Sequence, residues 1–191
     1  MNTEKFQKVE AASVHELRKW LKLNHQQKES VWLVTYKKVV PEKYISTAEV
    51  LDELLCFGWI DGIRRKLDDT RTMQLISPRK VEHWAKTYKD RANKLIEEGK
   101  MHDAGFHSIE VSKQNGLWDF MDDVDKLIVP TDLQEGLARY EGAAEFFHAI
   151  NASSKRFVLR WLKLAKTDKT RTARINQIAQ LSAKGEKLKG S

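Results

Sequence analysis

The sequence predicts an α+β fold, in which a small antiparallel sheet of about three strands packs with helices and is followed by a helical C-terminal bundle. Residues 30–38 are rich in β-branched and aromatic residues, which is typical of a strand, and 59–69 and 73–80 look like the two strands of a hairpin. After these segments the apolar residues recur every three or four positions, which is the period of a helix. We therefore expect an α+β part at residues 1–118 and a helical part at 119–191, with one compact unit as the alternative.

The first helix and strand follow from local signals. Ser13 and Glu16 have the spacing of a capping box, which predicts that a helix begins there and covers 13–25. The segment 30–38, with the letters SVWLVTYKK, is expected to be the first strand of the sheet. Pro41 then marks a loop or hairpin, because proline interrupts both helices and strands.

A second helix leads into a hairpin. The Ser/Thr pair that opens 46–59 predicts an N-terminal cap, and Gly58 is placed to end this helix in a left-handed conformation. The segment 59–69 is expected to be a strand that pairs with 73–80, which Pro78 stops.

The remaining chain is predicted to be helical apart from an acidic connector near residues 118–130. Glycines follow the first two of these helices, and Thr131 is expected to cap the third. The predicted helices cover the following ranges: 80–100, 102–116, 131–140, 143–154, 154–166 and 168–185.

Composition indicates a globular protein with an apolar core. Hydrophobic residues make up 41% of the chain and charged residues 32%, and the six tryptophans are expected to anchor the core. A single cysteine excludes an intramolecular disulfide. The N-terminal residues carry no apolar run of signal-peptide length, and no stretch reaches the length of a membrane span, so we expect a cytoplasmic protein.

Positive charge is concentrated in the C-terminal segment. From Asn151 to Ser191 there are eleven lysines and arginines against two acids, a balance of +9, whereas the whole chain carries +7. Residues 1–150 therefore carry about −2, and an anionic macromolecule is expected to bind the basic segment.

Several classes of catalytic and cofactor site are not indicated. Cys56 lies near the C-terminal end of its predicted helix, where the helix dipole disfavours a thiolate, so it is expected to be a core residue. The histidines have neither an HExxH pattern nor a cysteine pair beside them, so no metal is expected. Glycine-rich nucleotide loops and GxSxG elbows are absent, and we expect no cofactor.

The polar residues around the predicted hairpin form a candidate anion pocket. Even spacing would place Asp61 and Arg65 on one face of a strand and Arg64 on the other. Arginine side chains there could bind an anion, or the same charges could form ion pairs on a solvated face. The candidate pocket consists of Trp59, Asp61, Arg64, Arg65, Arg79 and Trp84.

The two last helices form a second candidate site. Their apolar residues recur on one side, and a dense set of basic residues lies on the other, a pattern that favours phosphate binding. The same charge could serve only solubility, since no recognition-helix motif accompanies it. The candidate nucleic-acid-binding residues are Arg156, Arg160, Lys163, Arg171 and Arg174.

The chain resembles the bacterial YdeI/OmpD-associated, or bacteriocin-protection, family over residues 4–187. The resemblance is carried by segments that read VWLVTYKK, CFGWIDGIRRKLDD, NGLWD, IVPTDLQEGLA and FVLRWLKLAKTDKTRTARI. The family usually has a Ser-x-Trp-Ser stretch with an asparagine four residues after the tryptophan. Here Glu82 and Ala85 stand at the two serine positions, and Tyr88 stands at the asparagine position. The arginine that follows in the family is retained as Arg91.

The resemblance implies a role in protection against bacteriocins or antimicrobial peptides and an association with an outer-membrane porin, and it supplies no catalytic residues. The sequence favours a non-enzymatic protein that binds an anionic or protein partner. Two alternatives remain open, a nucleic-acid-binding protein that uses the basic helices and an enzyme built on the Asp/Arg pocket.

Overall fold

The computed structural model describes residues 6–80 and 82–191, and the chain divides into two compact units. Unit 1 extends to Asp119 and contains the sheet, whereas unit 2 extends from Phe120 to Ser191 and is helical. The described residues form four strands and nine α-helices, so the α+β class with a helical C-terminal region is confirmed.

The sheet has four strands, so the expectation of about three is wrong. The order across the sheet is β1-β2-β4-β3. The strands are β1 (Lys8–Glu10), β2 (Val31–Tyr36), β3 (Trp59–Lys66) and β4 (Arg71–Pro78). β1 pairs parallel with β2 over three residues, which is too short for an alternating pattern to be visible in the sequence.

The β3–β4 hairpin is closed by an aspartate in its turn. The carboxylate of Asp68 accepts hydrogen bonds from the backbone N–H groups of Thr70 and Arg71, and it pairs with the Arg71 guanidinium. This pairing, with the hydrogen bonds, lowers the pKa of Asp68 to about 2. Asp68 therefore stabilises the turn that connects β3 to β4.

Four α-helices pack in unit 1. Their bounds are α1 (Val14–Asn24), α2 (Thr47–Cys56), α3 (Lys86–Glu97) and α4 (Asp103–Gln114), with a 3₁₀ turn at Pro41–Lys43. Both predicted serine caps are present, because Ser13 Oγ accepts from the N–H of Glu16 and Ser46 Oγ accepts from that of Glu49. Ser46 and Glu49 complete a capping box, which accounts for the start of α2.

The helix predicted for 80–100 begins later, at Lys86. Residue 81 lies outside the described part of the chain. Trp84 is fully buried, and its backbone N–H donates to Leu117 O rather than to a helical neighbour. Burying this indole requires an extended approach, so a tertiary contact overrides the helical pattern of the sequence.

The core of unit 1 lies between one face of the sheet and the helices. It joins strand residues with the apolar stripes of α1 and α2, and its fully buried members include Leu17, Leu21, Leu33, Leu54, Trp59 and Ile76. The end of α2 enters this core, because Cys56 and Phe57 are buried as well.

Unit 2 is a bundle around its own core. Its helices are α5 (Asp122–Asp125), α6 (Thr131–Ala138), α7 (Ala143–Ala149), α8 (Ala152–Lys163) and α9 (Asp168–Ala183). The predicted Thr131 cap is wrong, because Pro130 takes the cap position without a side-chain bond. Leu133, Phe147 and Leu162 are fully buried at the centre of this core.

Across the described residues, every helix is too short or too polar to cross a bilayer.

Candidate functional site

The two tryptophans of the predicted pocket are core residues. Trp59 is fully buried, and its indole N–H donates to His25 O at 3.1 Å. Trp84 is also buried, and its indole N–H donates to Ser112 Oγ at 2.8 Å. Each tryptophan satisfies its one polar group with an internal partner, so both act as anchors that hold the neighbouring walls in place.

Arg64 and Arg65 lie on opposite faces of the sheet, and the predicted grouping of Asp61 with Arg65 is wrong. The pairing of β3 with β4 slips by one residue between Asp61 and Arg64. A β-bulge of this kind reverses the alternation of faces beyond it. Arg64 therefore shares a face with Asp61, whereas the Arg65 guanidinium lies 5.4 Å from the centre of the Trp32 ring.

Asp61 and Arg64 belong to one hydrogen-bonded network. Tyr88 Oη donates to Asp61 Oδ1 at 2.9 Å, and Gln74 Nε2 donates to Asp61 Oδ2 at 3.1 Å. Arg64 donates to Gln74 Oε1 at 2.6 Å and to Thr47 Oγ1 at 3.0 Å. These bonds connect the hairpin to α3 and to the start of α2, so they hold unit 1 together.

Gln74 and Tyr88 were missed as members of this cluster. Gln74 lies between apolar neighbours on a predicted strand, so its buried position could have been suspected from the alternation. Burial, with the bond to Asp61, raises the pKa of the Tyr88 hydroxyl.

Arg79 differs from the other half-buried arginines of unit 1. Arg18, Arg71 and Arg91 each pair with a carboxylate. The Arg79 guanidinium lies 3.9 Å from the centre of the Trp84 ring, and its one hydrogen bond goes from Nη2 to a backbone carbonyl. Nε and Nη1 are shielded from solvent and have no hydrogen-bond partner among the described residues.

Burial lowers the pKa of Arg79, because removal from water disfavours the charged form of the guanidinium. An arginine nevertheless stays protonated at physiological pH. Arg79 is therefore a cation with spare N–H donors.

Arg79 lines a cleft of about 760 Å³ in unit 1, which we call the cationic cleft. Of the six residues predicted to form an anion pocket, Arg79 is the one that lines this cleft. Its ionisable lining residues are His25, Arg79, Lys80, His102, Asp103 and His107. With the histidines neutral, two cations face one carboxylate, and the cleft is within the size range of small-molecule sites, roughly 300–1,000 Å³.

The floor of the cleft is formed by a close approach of α2 and α4. Gly58 adopts a left-handed φ of 69°, and a Cβ atom there would lie 2.9 Å from Ala104 O. A Cβ atom on Gly105 would lie 2.5 Å from Cys56 O. The Cys-Phe-Gly-Trp stretch that carries the family resemblance therefore ends α2 and lets α4 approach its backbone.

Three rings cluster at the start of α4. The rings of His25 and His102 meet edge to face with 5.1 Å between their centres, and Phe57 stacks on His102 at 4.6 Å. His102 Nδ1 accepts the backbone N–H of Ala104 and so caps α4. Burial, together with the neighbouring His25, lowers the pKa of His102, which favours the neutral imidazole.

Cys56 lies inside the core near this cluster. Burial, and then the nearby Glu53 carboxylate, raise the pKa of the thiol to about 11. The thiol is therefore protonated at neutral pH and is a poor nucleophile.

Three of the predicted nucleic-acid-binding cations, Lys163, Arg171 and Arg174, have bonds that can be described within unit 2. Arg171 makes a bidentate pair with Asp132, and Lys163 pairs with Asp123. Arg174 donates to Trp161 O and stacks on that ring at 4.6 Å. The two other predicted cations, Arg156 and Arg160, are exposed, and nucleic-acid binding by this surface stays a prediction.

These bonds account for the basic pattern near the C-terminus. Arg171 connects α9 to α6, and Arg174 connects α9 to the end of α8. The Thr-Arg and Arg-Ile pairs that carry the family resemblance therefore hold helices together.

Among the residues that the structure describes, no group of three or more histidine, cysteine or acidic side chains is arranged to hold a metal ion.

Two family models match the chain. Residues 9–108 match a family described as a domain of unknown function, DUF8412, and this match covers more than half of the chain. Residues 126–185 match the family described as "Bacteriocin-protection, YdeI or OmpD-Associated", so the predicted resemblance is confirmed for this segment. Neither the curated proteins nor the solved structures contain a match. The chain therefore belongs to the DUF8412 family through unit 1, and residues 126–185 of its C-terminal part match the bacteriocin-protection, YdeI or OmpD-associated family.

Proposed function

We propose that this protein binds a small anion in the cationic cleft, with Arg79 as the anchor. The observation that carries the proposal is the pair of unpartnered donors on Arg79, which lines the cleft. A buried donor without a partner costs about 1–3 kcal/mol, and an anion that accepts from it removes that cost. Because Nε and Nη1 are shielded from solvent, we propose that the guanidinium turns away from Trp84 when the anion binds.

The charge of the cleft supports the same conclusion. Lys80 adds a second cation, whereas Asp103 is the single carboxylate on the lining. Arginine binds carboxylates and phosphates through two parallel hydrogen bonds, which are stronger than bonds between neutral groups. The ligand is therefore expected to be a phosphate or carboxylate compound.

Calorimetric titration with inorganic phosphate and with succinate tests this proposal. Arg79→Gln should weaken binding at least tenfold, and Arg79→Lys should weaken it less, because lysine keeps the charge but loses the planar fork. Arg65→Gln is the matched control, since Arg65 belongs to the same hairpin but lies against the Trp32 ring and does not line the cleft. The proposal fails if neither anion binds at millimolar concentration, or if Arg65→Gln weakens binding as much as Arg79→Gln.

The family name suggests the setting in which such binding would be used. We propose that the protein contributes to protection against bacteriocins or antimicrobial peptides through the anion that it binds, without catalysis, and that it acts in the cytoplasm. A deletion strain should become more sensitive to such peptides, and the wild-type gene but not Arg79→Gln should restore resistance. Equal restoration by both genes would separate the cleft from protection, and cell fractionation tests the compartment.

A further inference from the structure

We propose that the anion is a nucleoside monophosphate, whose phosphate binds at Arg79 and whose base edge is recognised by His25 and His102. This inference rests on the proposed anion site and specifies its ligand. It depends on the length of the cleft and on the hydrogen-bonding state of the two imidazole rings.

The two ends of the cleft are separated by most of α4. His102 caps the N-terminal end of this helix, whereas Ser112, near its C-terminal end, accepts from the Trp84 indole on which Arg79 stacks. Ten residues at about 1.5 Å per residue give a separation of up to about 15 Å between His102 and Ser112. A free phosphate would fill only one end of this cleft, so the remainder requires an elongated ligand.

Between these ends, the ionisable residues of the α4 wall are Asp103 at the start of the helix and His107. Ala104, Ser108 and Val111 follow one another along the side of the helix that lines the cleft. Small and apolar side chains of this kind suit an uncharged body, such as a sugar, that joins an anionic group to a second polar group. The ligand class is therefore an organic monophosphate with a polar group at its far end.

The two histidines present one donor and one acceptor at that far end. His102 Nδ1 accepts from Ala104 N, so the neutral ring carries its proton on Nε2 and is a donor there. His25 Nδ1 faces the carbonyl oxygens of Leu21 and Lys22 at 3.2 and 3.1 Å, so it carries a proton, and in the neutral ring Nε2 is then an acceptor. Neither Nε2 has a hydrogen-bond partner within the described residues.

A purine base has the complementary pattern on one edge. In adenine, N1 accepts a hydrogen bond and the adjacent amino group donates one. N1 would accept from His102 Nε2–H, and the amino group would donate to His25 Nε2. The two rings meet edge to face with 5.1 Å between their centres and both line the cleft, so a single base edge can reach both.

Titration calorimetry with four probes tests the inference: inorganic phosphate, ribose 5-phosphate, AMP and purine riboside 5′-monophosphate. AMP should bind at least tenfold more tightly than ribose 5-phosphate. Purine riboside 5′-monophosphate lacks the amino group and should bind about fivefold more weakly than AMP, which corresponds to one hydrogen bond.

Two variants assign the ends of the ligand. His102→Asn keeps an oxygen that can cap α4 but removes the Nε2 donor, so it should weaken AMP about fivefold and leave ribose 5-phosphate unchanged. Arg79→Gln should weaken all four probes. Circular dichroism establishes that both variants are folded.

The outcomes separate the two proposals. If AMP binds no more tightly than ribose 5-phosphate, or if His102→Asn weakens both equally, base recognition is overturned while the anion site stands. If none of the four probes binds, both proposals are overturned. Selective loss of AMP affinity in His102→Asn, with loss of all probes in Arg79→Gln, supports the inference.

Discussion

Gly105→Ala is expected to destabilise unit 1 because a single methyl group would separate α2 from α4. Gly105 is buried within α4, and its added Cβ atom would lie 2.5 Å from Cys56 O and 2.9 Å from Cys56 C. It would also lie 2.3 Å from Met101 Sδ, but that side chain is flexible and can move. The backbone at the end of α2 cannot move without disturbing the core around Phe57.

Two opposing contributions set the size of the effect. Replacing glycine by alanine inside a helix stabilises the helix by about 1 kcal/mol. Overpacking of a close contact costs about 1–3 kcal/mol, and the upper end applies here because the obstacle is backbone. The free energy of unfolding of unit 1 should therefore fall by about 2 kcal/mol.

Urea denaturation measures this change with a convenient probe. Five of the six tryptophans lie in unit 1 and Trp161 lies in unit 2, so the fluorescence signal reports mainly on unit 1. Gly136→Ala is the matched control, because its added Cβ atom would meet only the Ile175 side chain, which can turn aside. This control, followed by circular dichroism, should lose less stability than Gly105→Ala.

The reasoning would be refuted by an unchanged stability of Gly105→Ala, or by a larger loss in Gly136→Ala. Either result would mean that the close approach of α2 and α4 does not limit the packing of unit 1. A folded but weakened Gly105→Ala protein should also bind phosphate less tightly, since the same contact forms the floor of the cationic cleft.

Three further outcomes are expected. Tyr88→Phe should lower the free energy of unfolding by about 1–2 kcal/mol in urea titrations, because it leaves Asp61 without one of its donors; an unchanged midpoint would show that this bond is dispensable. Asp132→Asn should lower the free energy of unfolding by about 1 kcal/mol, a small loss because both side chains of its ion pair with Arg171 are partly exposed. In an Arg171→Gln background the same substitution should have no further effect, and additive losses would contradict the pairing. The lowered pKa of His102 means that the folded state binds fewer protons than the unfolded state, so stability should fall as the pH drops below 6.5. His102→Asn should reduce that fall in thermal melts, and an identical pH profile would count against the assignment.

Much of the fold could be predicted because it is encoded in local patterns. The serine caps at Ser13 and Ser46 and the left-handed Gly58 depend on neighbours within a few residues. The hairpin depends on the Asp68 turn, which is also local. Where the prediction was wrong, a distant contact decided the structure, as when burial of Trp84 delays the start of α3.

The candidate site could be predicted only in part, for the same reason. Arg79 was named from the sequence as a member of an anion pocket, but the neighbours then assigned to it came from its own hairpin and from the segment that follows it. The structure instead places Arg79 in a cleft with His25 and His102, which come from other parts of the chain. Histidines so widely spaced carry no common motif, so their convergence left no signal in the sequence.

The sequence by itself determined the α+β class, the positions of most helices and strands, and the family resemblance of residues 126–185. These properties depend on hydrophobic period, caps and short motifs, which act over a few residues. Only the tertiary structure decided that Arg64 and Arg65 face apart and that Arg79 keeps unpartnered donors. The orientation of Arg64 and Arg65 depends on a register slip between β3 and β4. The unpartnered donors of Arg79 depend on which acceptor groups the fold brings within hydrogen-bond distance of its guanidinium.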